Sequence, residues 1–114
     1  MSAITTHVLD TSRGKPAAGV PIVLERREGA CTFVELGKGV TDADGRCRTL
    51  LRDGERASAG VYRLHFAVRS YFVDRGIETF FPSVEITFEI TAPAEHHHVP
   101  LLLSPFGYST YRGS

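Results

Sequence analysis

Val84-Glu85-Ile86-Thr87-Phe88-Glu89-Ile90-Thr91 is the stretch on which the fold class turns. Val84, Ile86, Phe88 and Ile90 fall on one side of an extended chain, and Glu85, Thr87, Glu89 and Thr91 on the other. A two-residue period in β-branched and aromatic residues marks a half-buried strand of an antiparallel sheet, because successive side chains of a strand point to opposite faces. Working outward, Tyr62 to Val68 repeats the pattern, with Tyr62, Leu64, Phe66 and Val68 on the apolar side. Val20, Ile22 and Leu24 form a third such face, and Thr32 to Leu36, Ile4 to Leu9 and Arg46 to Leu51 supply further short strands. Turn-forming runs separate them: Ser12-Arg13-Gly14-Lys15-Pro16, Arg27-Glu28-Gly29, Asp42-Ala43-Asp44-Gly45 and Arg52-Asp53-Gly54. Ser70 to Ile77 alone lacks alternation, so Ser70 is expected to cap a short helix near residues 70–76 that Gly76 ends. Seven or eight short strands with one helix predict an all-β, antiparallel β-sandwich.

The chain of 114 residues has the size of one domain, and residues 1–114 are read as a single unit. Thirteen Lys and Arg against thirteen Asp and Glu leave a formal charge of zero. Nucleic-acid and anionic-membrane partners call for a basic excess, so neither is expected. A hydrophobic content of 42% excludes a disordered chain. The opening residues Met1 to His7 carry neither a basic nor an apolar run, which predicts a cytoplasmic protein without a secretory signal. Cys31 and Cys47 match no zinc or redox spacing and are expected as free thiols.

Histidine titrates nearest neutrality, which makes His7, His65, His96, His97 and His98 the first residues to weigh for proton transfer. On a strand only His96 and His98 share a face, and two imidazoles are an incomplete metal site unless a residue such as His7 joins them. No metal is expected. Asp42-Ala43-Asp44-Gly45 opens like a calcium loop, but Arg46 and Arg48 occupy its middle and exclude that reading. The segment Ser104 to Ser114 brings Phe106, Tyr108, Tyr111 and Arg112 together with several hydroxyls, a density of specific groups that fits a tail tied into a site.

Several blocks of this chain resemble the transthyretin-related 5-hydroxyisourate hydrolase family. They are Thr6-His7-Val8-Leu9-Asp10 with Gly14-Lys15-Pro16-Ala17, then Thr41-Asp42-Ala43-Asp44-Gly45-Arg46 and Phe80-Phe81-Pro82. To these are added His96-His97-His98-Val99-Pro100-Leu101-Leu102-Leu103-Ser104-Pro105 and the ending Tyr108-Ser109-Thr110-Tyr111-Arg112-Gly113-Ser114. The resemblance implies an eight-stranded transthyretin-like sandwich with one short helix. It also implies a homotetramer, a dimer of dimers whose active sites lie at the dimer–dimer interface. By motif position His7, Arg46, His98 and Ser114 are the expected catalytic residues, and His7, Arg46, Tyr111, Arg112 and Gly113 the expected substrate contacts. The family commonly has an aromatic residue where this chain has His97, whose side chain is expected to point away from His98. The implied reaction is cofactor-free hydrolysis of 5-hydroxyisourate to 2-oxo-4-hydroxy-4-carboxy-5-ureidoimidazoline. The alternative is a non-catalytic carrier that binds an aromatic ligand in the tetramer channel, which calls for an apolar channel without these histidines and this arginine.

Overall fold

In the computed structural model, which describes residues 2–114, the Val84 alternation becomes an edge strand of a four-stranded sheet. The strands in chain order are β1 (Ile4–Asp10), β2 (Lys15–Pro16), β3 (Pro21–Arg27), β4 (Phe33–Val40), β5 (Arg46–Cys47), β6 (Gly60–Phe66), β7 (Val84–Ile90), β8 (His97–Ser104) and β9 (Gly107–Thr110). One sheet has the order β4-β3-β6-β7, and the other has the order β2-β1-β8-β9 with β5 also paired to β1. Register explains the core. Tyr62 lies opposite Phe88, Leu64 opposite Ile86 and Phe66 opposite Val84, while Leu64 and Phe66 also face Leu24 and Ile22 across β3. The other sheet presents Ile4, Val8, Val99, Leu101 and Leu103 to this layer, all buried. Each such side chain stabilises the fold by about 1.5–3 kcal/mol relative to exposure.

The sandwich is as expected, with differences in detail. Nine strands are formed among the described residues, two of them only two residues long. The expected strand Arg46 to Leu51 shrinks to Arg46–Cys47, whereas the strand begun near Thr32 runs on to Val40. Pairing is antiparallel except between β1 and β8, which run parallel with Thr5 opposite His98 and His7 opposite Pro100. Cys31 and Cys47 are free, the first exposed and the second buried.

The helix α1 spans Val68–Val73, earlier than expected, and Ser70 lies inside it. Ala67 takes the cap position without a side-chain bond, and the Ser70 hydroxyl donates back to the Ala67 carbonyl at 3.1 Å. Burial of Val68, Tyr71 and Phe72, at helical spacing, sets the start instead. A six-residue helix does not stand alone in water. It is anchored by the Tyr71 hydroxyl, which donates to Oδ2 of the buried Asp10 at 2.7 Å, and by Arg13, which donates to that hydroxyl at 3.1 Å. Burial raises the Asp10 carboxyl, but hydrogen bonds from Ser12, Tyr71 and Arg13 outweigh it and leave the group below its ordinary value.

Candidate active site

Alternation along two neighbouring strands builds the site. β1 turns Ile4, Thr6, Val8 and Asp10 inward, so Thr5 and His7 face out; β8 turns His97, Val99, Leu101 and Leu103 inward, so His98 faces out. His97 is 6% exposed and points away from His98, as expected, into the inner face. The parallel register sets Thr5 beside His98, and the pairing of β5 with β1 sets Arg46 opposite His7.

Arg46 is delivered by the turn that precedes it. The Asp42 carboxylate accepts the backbone N–H of Asp44 at 2.9 Å and of Arg46 at 3.0 Å, and the Arg46 bond is the main reason its carboxyl sits below the ordinary value. Gly45 adopts φ 75°, and any side chain there would collide with the Val8 carbonyl oxygen. In that contact the Gly45 carbonyl accepts the Val8 N–H at 2.7 Å. The Asp-x-Asp-Gly run is thus a clamp on β1, and it aims Arg46 at the His7 face.

A cleft of about 200 Å³ opens there, lined by Thr5, Arg46, Arg48, His96, His98 and Ser114. His7 stands at its side, opposite Arg46 on β1. The Arg46 guanidinium makes no hydrogen bond or ion pair with another described residue, whereas Arg48 lies 3.7 Å from Asp42. An unpaired guanidinium beside imidazoles suits a flat, carbonyl-rich ligand that develops negative charge. Thr5 Oγ1 is 2.8 Å from His98 Nδ1 and 3.0 Å from His96 Nε2, and the two rings stack with centroids 6.4 Å apart. Burial, reinforced by the positive charges of Arg46, His96 and His7, holds His98 below the ordinary histidine value. Its imidazole is therefore neutral, and able to accept a proton, at pH 7.

The C-terminal tail folds back along β8. Thr110 Oγ1 donates to the Pro100 carbonyl at 2.7 Å, and the Gly113 N–H donates to the His98 carbonyl at 2.8 Å. Gly113 packs on the imidazole itself: a Cβ there would meet His98 Cδ2 at 2.6 Å and Pro100 Cγ at 3.2 Å. A Gly113→Ala substitution is expected to displace either the ring or the tail and to lower kcat by about 10- to 100-fold, with little change in Tm. Steady-state kinetics with a thermal melt check this, and full activity would contradict it.

Tyr111 and Arg112 do not reach the cleft of their own chain. They border a second hollow of about 300 Å³ with Ile86, Phe88 and Val99, and Arg112 pairs with Glu95 at 2.9 Å at the surface. Of the residues expected in the site, one chain therefore gathers His7, Arg46, His98, Gly113 and Ser114, and leaves Tyr111 and Arg112 beside it. Thr5, His96 and Arg48 are cleft residues that the sequence reading did not place there. Alternation carried the signal, since Thr5 shares the His7 face and Arg48 lies two residues beyond Arg46.

A profile of the HIUase/Transthyretin family matches residues 4–113. The mouse 5-hydroxyisourate hydrolase is 47% identical over 114 residues, covering 99% of this chain and 96% of the mouse protein. The solved 5-hydroxyisourate hydrolase of Klebsiella pneumoniae superposes with a TM-score of 0.85 at 40% identity over the full length of both chains. Sea bream transthyretin, solved in complex with thyroxine, superposes with a TM-score of 0.89 at 29% identity, covering 97% of this chain and 94% of its own. Fold and cleft define a transthyretin-like β-sandwich enzyme, a hydrolase by its relatives. The chain belongs to the HIUase/Transthyretin family.

Proposed function

We propose that this hydrolase acts on 5-hydroxyisourate, opening a ring amide to give 2-oxo-4-hydroxy-4-carboxy-5-ureidoimidazoline in urate breakdown. The observation that carries this reading is the meeting of His7, Arg46 and His98 on one face of one sheet, around a cleft lined without a carboxylate side chain. Water is a poor nucleophile until a base takes its proton, and the neutral, partly buried His98 is the base. Attack on the ring carbonyl places negative charge on oxygen, which the Arg46 guanidinium receives; a preorganised donor of this kind is worth about 3–4 kcal/mol in the transition state. The C–N bond then breaks, and the departing nitrogen takes a proton back from the histidine pair. His7, opposite Arg46, orients the water and the ring. Gly113 packs against the His98 ring, and Ser114 lines the cleft beside it. No step uses a metal or a cofactor.

The same reading makes the active unit a homotetramer with sites at the dimer–dimer interface. It is supported by the position of the cleft on an outward sheet face, and by Tyr111 and Arg112, which stand outside their own cleft. Exposed Phe106, Tyr108 and Tyr111 on the same tail add apolar surface for a neighbouring subunit.

The test is the ultraviolet absorbance of freshly generated 5-hydroxyisourate, followed with and without the protein between about pH 5 and pH 8. The protein is expected to accelerate its decay. A base whose folded-state value is depressed stays neutral further into acid, so kcat is expected to fall only at a midpoint below the ordinary 6.5 of histidine. Decay at the unaided rate at every pH would reject the assignment.

A further inference from the structure

Thr5 is 5% exposed, and its hydroxyl is the shared partner of two imidazoles. A hydroxyl has one hydrogen and two lone pairs, so the arrangement can be counted. If both rings donated to Thr5 Oγ1, its own hydrogen would be left without an acceptor among the described residues, at a cost of about 1–3 kcal/mol. One ring must therefore donate and the other accept. His96 is exposed, so its second ring nitrogen is met by water in either state. The choice is made at His98, whose Nε2 makes no hydrogen bond with a described residue and which shares the cleft with the guanidinium groups of Arg46 and Arg48. Beside these two cations an Nε2 lone pair is stabilised, whereas an Nε2–H is not.

We infer that Thr5 and His96 are positioning residues for His98: the Thr5 hydroxyl accepts from His98 Nδ1–H and donates to His96 Nε2. This holds the basic Nε2 of His98 free toward the cleft and couples the two imidazoles through one hydroxyl. The inference rests on His98 being the base. Its protonation is set by all that surrounds it: Thr5 and His7 from β1, Arg46 and then Arg48 from β5 and its extension, His96 and Glu95 ahead of β8, and Arg112 and Ser114 from the tail. Glu95, the single carboxylate side chain of that set, is already paired with Arg112 at 2.9 Å. A proton on each ring would set two imidazolium rings 6.4 Å apart, both beside arginines.

The tautomer is read directly, without substrate, from the side-chain nitrogen shifts of His98 by NMR near neutral pH. The wild-type protein is expected to carry its proton on Nδ1. Thr5→Val, close in shape and suited to a strand, is expected to shift the population toward Nε2–H and to lower kcat by about tenfold or more, while Thr5→Ser keeps both within about threefold. His96→Gln still accepts from Thr5 but carries no charge, so the acid limb of kcat is expected to move to higher pH. An Nε2–H tautomer in the wild type, an unchanged tautomer in Thr5→Val, or an unmoved acid limb in His96→Gln would each overturn the inference. If the protein fails to hydrolyse 5-hydroxyisourate, the tautomer measurements on wild type and Thr5→Val still decide the hydrogen-bond arrangement, so the two failures are told apart.

Discussion

Replacing His98 with asparagine is expected to lower kcat by about 100- to 10,000-fold, the usual worth of a general base. The reason is specific to the position. Burial and Arg46 hold the His98 imidazole below its ordinary value, and it lies beside Thr5 and Gly113. The fold does not depend on it, because the inward residues of β8 are Val99, Leu101 and Leu103, which the substitution leaves in place. Asparagine can still bond to Thr5, and Tm is expected to stay within about 5 °C of the wild type. Kinetics on 5-hydroxyisourate and a melt on the same sample check both halves. A variant that turns over at the wild-type rate would remove His98 from the mechanism.

Deletion of Tyr111 through Ser114 is expected to abolish turnover while leaving the sandwich folded. The tail contributes little to the core: its Arg112–Glu95 pair is more than half exposed on both sides, and Tyr111 is 58% exposed. It contributes a good deal to the cleft. Gly113 bonds the His98 carbonyl and packs on its ring, and Ser114 lines the cleft. Without them the imidazole loses the wall that fixes its orientation, and a loss of about 100-fold or more follows from misplacement alone. Circular dichroism should show an unchanged β-spectrum beside the lost activity. Retained activity would show the tail to be a surface strand without a part in the reaction.

The sandwich was legible because its two best strands, around Val84–Thr91 and Tyr62–Val68, bury one face and wet the other, and that asymmetry is written directly in the alternation. Val68 marks the limit of this signal: it continues the strand period on paper, yet it opens α1, since Tyr71 and Phe72 bury with it at helical spacing. The parallel pairing of β1 with β8 was not legible, because alternation tells which face a residue takes and not which way its neighbour runs. The same limit governs the site. His7, Arg46 and His98 were reached through residue chemistry and family likeness, and strand period alone predicted that His97 turns away. Thr5 and Arg48 share those faces by the same rule, but only the register between strands brings them to the cleft. His96 was weighed only as half of a metal site, whereas the structure joins it to His98 through Thr5. The carrier alternative required an apolar channel without these groups, and the cleft is lined instead by two arginines and two histidines.

The central claim is that His7 and His98 serve one water in one cleft, and kcat for His7→Asn, His98→Asn and the double variant tests it most directly. Groups that act as a unit are strongly non-additive, so the double variant is expected to be only slightly slower than the worse single variant. Losses that multiply, as for two independent sites, would contradict it.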